Sequence, residues 1–197
     1  MNSAYWLILL GYLVGSFPSA YVAGRVFRGL DITQHGSGNV GGTNALRVLG
    51  AGPGLAVAIV DVSKAFFPVL WAKNHYAEPR WLVLLVALAV VVGHNYSIFL
   101  RGRGGKGVAT TIGASLALFP ETIVWLLLGA VLVVATTRYV SLASILLYLS
   151  LPIVLSLRGE RTEAIAFAVV LGALGVWRHR SNIDRLLKGT ENRLGKK

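Results

Sequence analysis

The chain has 197 residues, 55% of them hydrophobic and only 14% charged, and its mean hydropathy is +0.66. Soluble domains carry about a quarter charged residues, and apolar runs of membrane-spanning length recur here, which excludes a soluble globular class and indicates a polytopic membrane protein. The lack of cysteine rules out disulfides, zinc–thiolate sites and a thiol nucleophile; the net charge of +11 suits an anionic cytoplasmic leaflet, and no soluble portion is left to bind nucleic acid.

The first apolar run, YWLILLGYLVGSFPSAYVA, has no Lys or Arg before it, whereas Arg25 and Arg28 follow it. That order predicts a retained span with its N-terminus outside rather than a signal peptide. Spans are predicted over 4–24, 53–73, 81–99, 107–119, 121–138, 140–157 and 163–178, an all-α bundle of seven transmembrane helices. Pro53 is placed as an early helical residue, and Pro120 separates the fourth and fifth segments. The short fourth segment is expected to be tilted, packed inside the bundle or only partly spanning. On this topology 14 of the Lys and Arg residues are cytoplasmic and four are outside, with Lys64 inside a span. The asymmetry follows the positive-inside rule. A five-span arrangement, without the fourth segment and one other, is the alternative.

After the first span comes HGSGNVGGTNALRVLG, residues 35–50. Gly36, Gly38 and Gly41 alternate with Ser37, Asn39, Thr43 and Asn44 and lead to Arg47. Glycine permits close backbone approach, small hydroxyls and amides bond ligand oxygens, and the guanidinium fork matches a phosphate. A polar, phosphate-bearing ligand is therefore expected here. In the second span Asp61 and Lys64 share a helix face. They are read as a mutually neutralising structural pair, although intramembrane charges are functional candidates by default.

Between the third and fourth spans lies GRGGKGVAT, residues 102–110. A Walker A loop would need glycine at position 100 and a hydroxyl at 107, which are Leu100 and Gly107 here; a dinucleotide fold would need a preceding strand. Four glycines in six residues, with Lys106 and a helix starting near Val108, instead make an anion site of backbone N–H groups, helix dipole and a full cation. Gly104, Gly105 and Gly107 are its expected phosphate-binding positions. Further on, RYVSLAS carries Ser141 and Ser144 at the cytoplasmic end of the sixth span, and HRSNID carries His179, Asn182 and Asp184. The His179-x4-Asp184 spacing is that of soluble glycerolipid acyltransferases, but only 13 residues follow Asp184, too few for that family's later motifs. It is read as a chance match. The tail, 178–197, places Ile183, Leu186 and Leu187 at helical spacing among basic residues, as in a helix lying on the cytoplasmic interface.

Taken together, GSGNVGGTNALR, GHNYSIFLRGRGGKGVAT, RYVSLAS and RHRSNIDRLL resemble the acyl-phosphate:glycerol-3-phosphate acyltransferases of bacterial inner membranes, over about the whole chain. The resemblance implies one integral-membrane acyltransferase domain, 1–197, multi-pass in the inner membrane with its site facing the cytoplasm. It implies transfer of a fatty acyl group from acyl phosphate to the 1-hydroxyl of glycerol 3-phosphate, giving lysophosphatidic acid and phosphate, the first acylation of phospholipid synthesis. It also implies a monomer among membrane lipid, with no cofactor, metal or nucleic acid. Ser37, Arg47, Lys106, Ser144, His179 and Asn182 match the family's polar substrate-binding positions, whereas Asp184 is no part of that pattern. An acyl phosphate is already an activated anhydride and needs no enzyme nucleophile, and no carboxylate stands among the motifs as an obvious base. A phosphate oxygen of the donor is expected to take the hydroxyl proton, with His179 and Asn182 orienting the acceptor. A membrane transporter of phosphorylated metabolites is the alternative, for which Asp61 and Lys64 would mark a pathway.

Overall fold

Apolar runs punctuated by Gly and Pro fold into ten α-helices among the described residues, 5–76 and 80–195, of this computed structural model. The first residue of the 4–24 span, and Lys196 and Lys197 of the tail, lie outside the described residues. The chain divides into two compact units, Met1–Leu118 and Phe119–Lys197.

The first unit holds α1 (Trp6–Ser16), α2 (Ser19–Arg28), α3 (Gly42–Leu49), α4 (Ala51–His75), α5 (Arg80–Asn95) and α6 (Val108–Leu118). The predicted first span is two helices rather than one. Pro18 has no N–H and disfavours a helical Phe17, so the ladder breaks between α1 and α2. The Phe17 carbonyl at the break accepts a hydrogen bond from Lys64 Nζ (2.7 Å). A second departure is α3, formed within a segment expected to be a cytoplasmic loop: Ala45 and Leu49 turn one face inward against Val57 of α4.

Packing in this unit relies on small residues that bring backbones together. A Cβ on Gly15 would strike the Val90 backbone, and one on Gly93 the Tyr12 carbonyl, so α1 and α5 meet closely. Gly113 of α6 rests in the same way on the Val62 carbonyl of α4, and Lys73 Nζ donates to the Ala117 carbonyl at 2.9 Å. At the end where α4 and α6 begin, Ile32, Val40, Ala45, Leu49 and Val57 form a core with Ala20 and Ala23, and Leu100 packs against it. Leu100 lies two residues before the second glycine-rich segment, so this core sits beside both segments' entry points in the chain.

The second unit runs up, down and up through α7 (Pro120–Thr137), α8 (Val140–Leu157) and α9 (Thr162–Arg178), followed by α10 (Arg180–Leu187). Glu121 and Arg158 pair at one end. At the other end the tail folds back: the Leu194 N–H donates to the Arg138 carbonyl (2.8 Å), and Arg193 donates to the Tyr139 hydroxyl (3.0 Å).

By length and composition, five helical stretches among the described residues can cross a membrane: Trp6–Arg28, Ala51–His75, Arg80–Leu100, Pro120–Thr137 and Val140–Leu157. The predicted fourth and seventh spans are α6, 11 residues or about 16 Å, and α9, 17 residues or about 25 Å.

Candidate active site

The first glycine-rich segment is built around Asn44. This side chain is 2% exposed, and each of its polar atoms is engaged. Its Nδ2 donates to the carbonyls of Asn39 (2.9 Å) and His35 (3.1 Å), and its Oδ1 accepts the Ser37 N–H (2.9 Å). Asn44 is thus the brace of the loop. Gly36 and Gly38 hold φ values of +63° and +69°, and a Cβ on Gly36 would meet Asn44 Oδ1; a side chain at either would unwind the turn. Asp31 anchors the loop's entry, its Oδ1 accepting from Thr33 Oγ1 (2.7 Å) and Thr33 N (3.0 Å). Those two bonds, the hydroxyl's first, hold its carboxyl below the usual carboxylate range. The loop presents Ser37, and α3 presents Arg47, both exposed to solvent. Arg47 pairs with no carboxylate among the described residues. Asn39 Oδ1 is buried without a protein donor, an acceptor of the kind a substrate hydroxyl would satisfy.

The second segment follows α5. Gly105 and Gly107 are buried, with Gly104 and Lys106 half-buried. The Gly105 N–H donates to the His94 carbonyl at 3.0 Å, so Gly105 serves by its missing Cβ, whose place is taken by the His94 ring. A Cβ on Gly104 would strike the His94 carbonyl and the Asn95 backbone. The loop delivers the chain into α6, where Thr110 Oγ1 and the Thr111 N–H both turn to the Gly107 carbonyl (2.9 and 2.7 Å). A glycine turn, a half-buried ammonium and a helix N-terminus make a site suited to phosphate.

In the second unit Ser144, His179 and Asn182 share the end bearing the α7–α8 turn and the returning tail. His179 is 2% exposed, and its Nδ1 lies 2.8 Å from the Gly175 carbonyl. A carbonyl can only accept, so Nδ1 carries the hydrogen, and in the neutral ring the lone pair is on Nε2. The ring also lies against Tyr148, centroids 6.0 Å apart, in a position that bare Gly175 allows. Ser144 Oγ donates to the Val140 carbonyl one turn back (2.8 Å). Asn182 Nδ2 donates to Glu191 Oε1 (2.8 Å), which also accepts from Ser141 Oγ (3.0 Å), while Oε2 pairs with Arg185 Nε (2.7 Å). Glu191 was not foreseen. It is one of two acidic residues in a basic tail, which was its only sequence signal. Asp184 turns to Lys188 (2.9 Å). Among the described residues no three His, Asp or Glu side chains gather as a metal site would need.

The sequence profile of a family described as "Glycerol-3-phosphate acyltransferase" matches residues 5–189. The chain is 43% identical to the glycerol-3-phosphate acyltransferase of Thermus thermophilus over 197 residues, 100% of this chain and 98% of that relative. It is 46% identical over 194 residues to glycerol-3-phosphate acyltransferase 2 of Moorella thermoacetica, covering 98% of this chain and 99% of that one. A crystal structure of PlsY (YgiH), an integral membrane glycerol 3-phosphate acyltransferase in its glycerol 3-phosphate form, matches with a TM-score of 0.94 at 39% identity, over 98% of this chain and 96% of that chain. Its lysophosphatidic acid form matches with a TM-score of 0.92.

Proposed function

Because the chain belongs to the glycerol-3-phosphate acyltransferase family, we propose that it acylates the 1-hydroxyl of glycerol 3-phosphate to lysophosphatidic acid, with acyl phosphate as donor and inorganic phosphate as the other product. The hydroxyl oxygen attacks the acyl carbonyl carbon, the bond from that carbon to the phosphate oxygen breaks, and the proton passes to a phosphate oxygen of the donor. The mixed anhydride is already activated, so the protein's task is to hold two anions together and to stabilise the oxyanion. Lys106, Arg47 and Ser37 hold phosphate oxygens. Main-chain groups along Gly36–Asn44 and Gly104–Gly107 line the approach. His179, Asn182 and Ser144 orient the acceptor.

The observation that carries this reading is the buried glycine turn with half-buried Lys106 at the start of α6, which suits a phosphate. The chain works as one domain, 1–197, a monomer in the bacterial inner membrane. It crosses seven times, with α6 and α9 as the two shorter crossings, the N-terminus outside and the glycine segments and basic tail cytoplasmic.

Purified protein supplied with acyl phosphate and glycerol 3-phosphate should release phosphate and lysophosphatidic acid in equal amounts. Turnover restricted to acyl-carrier-protein or coenzyme A thioesters would overturn the donor. Single cysteines at Gln34 and Arg103 in this cysteine-free chain should label from the cytoplasmic side, and labelling of both from outside inverts the topology.

A further inference from the structure

Three buried polar side chains of the first unit stand outside the roles assigned above. Asp61 is 0% exposed, and its Oδ1 receives the Ser19 hydroxyl at 2.6 Å and the Lys64 ammonium at 2.8 Å. The Nδ1 of buried His94 lies 3.1 Å from Lys64 Nζ and 3.5 Å from Asp61 Oδ1. In either neutral tautomer that nitrogen has a partner: it accepts from the ammonium or donates to the carboxylate. The other edge of the same ring faces the glycine turn. A Cβ on Gly105 would meet Nε2, Cε1 and Cδ2 of His94, and the main chain of His94 accepts the Gly105 N–H. The ring is thus held from one side by an ion pair and abuts the loop on the other. Lys64 also ties the Phe17 carbonyl into the cluster, which ties the ring to the break between α1 and α2.

We propose that His94 is a positioning residue of the phosphate loop: Asp61 and Lys64 fix its ring, and the ring fixes the path of Gly105. This rests on the phosphate-binding reading of that loop. Burial of a charged pair beside a histidine needs a reason in a helix bundle, because an apolar trio would fill the space at lower cost. Orientation of one ring against Gly105, which has no side chain of its own, supplies that reason. Gly105 has no left-handed φ, so alanine there meets a steric obstacle and no backbone strain.

A double-mutant cycle in the purified full-length protein tests the coupling. His94→Asn keeps a polar atom near Lys64 and removes the distal ring atoms. Gly105→Ala alone should lower kcat/KM about a hundredfold and weaken inhibition by inorganic phosphate to match. Adding His94→Asn should recover about tenfold in both, because the space is vacated. Gly104→Ala should gain nothing from His94→Asn, since its obstacle is main chain. If Gly105→Ala does not fold, restored thermal unfolding in the double variant is the expected result, and a double variant that also fails to fold overturns the proposal. Equally fatal are additive effects at Gly105 or equal rescue at Gly104. Wild-type protein that inorganic phosphate does not inhibit would defeat the phosphate reading separately, leaving the 94–105 coupling measurable by unfolding.

Discussion

Replacing Asn44 by alanine separates two ways in which the first glycine segment could depend on it. Truncation removes the bonds donated to the His35 and Asn39 carbonyls, a long contact to the Ile32 carbonyl (3.5 Å), and the bond accepted from the Ser37 N–H; the two short donated bonds and the accepted one carry the energy. At about 1 kcal/mol for each neutral hydrogen bond the loss is about 3 kcal/mol. His35 is exposed, so water can take up its carbonyl, which leaves about 2 kcal/mol, or roughly 30-fold in the local opening equilibrium. Hydrogen exchange read by mass spectrometry should show that loss of protection in peptides covering 35–41, with α5 unchanged. Turnover should fall with it, because Ser37 and Arg47 lose their placement. Asn44→Asp should do no better, since its second oxygen would face carbonyls. If Asn44→Ala lowered turnover while protection of 35–41 stayed at the wild-type level, Asn44 would be a ligand group and the brace would be wrong.

Lys106→Ala should remove on the order of 2–4 kcal/mol of transition-state stabilisation, about 30- to 1,000-fold in turnover, while the protein stays folded in detergent; undiminished turnover would reduce the loop to a topology signal. Lys64→Met leaves Asp61 buried without its cation and should cost about 3–5 kcal/mol in unfolding measurements, most of which Asp61→Leu in the same chain should restore. A double variant no more stable than Lys64→Met would refute the pairing. Asp31 titrates in the folded chain below its unfolded value, so its contribution is present above about pH 4 and is lost as pH falls through the lower folded value. Protection of the Thr33 amide should fall in that window and be insensitive to it in Asp31→Asn.

Helix positions were legible because the apolar runs that form them are long and bounded by Gly, Pro or charge. Val140–Leu157 coincides with its prediction, and Ala51–His75 exceeds its own by two residues at each end. The break at Phe17–Pro18 was in plain view as a proline, but the length of the run around it suggested continuity. α3 escaped because its glycine neighbours read as loop, while the face of Ala45 and Leu49 that makes it helical finds its partner only in α4. Lys106 and Arg47 could be singled out from residue type and spacing, and His179 from the family resemblance. Glu191 and His94 could not, since each acquires its meaning from a contact with residues the sequence places elsewhere: Ser141 is 50 positions from Glu191, and Lys64 is 30 from His94.

The register of α6 on α4 has a consequence for where the anion lies. Gly113 rests on Val62, and both helices start at the same end of the unit. Counting back five residues sets Val108 level with position 57, six residues inside the start of α4 at Ala51, or about 9 Å. On the proposed phosphate reading, the anion at the head of α6 lies about a turn and a half inside the start of α4. Water screens less at such a depth: two unit charges 4 Å apart attract by about 1 kcal/mol in bulk water and by about 4 kcal/mol at an effective dielectric of 20. The ammonium of Lys106 gains that leverage from the shortness of its helix. On the proposed function, an amphiphilic donor whose headgroup reaches this level keeps its hydrocarbon tail among its neighbours in the leaflet.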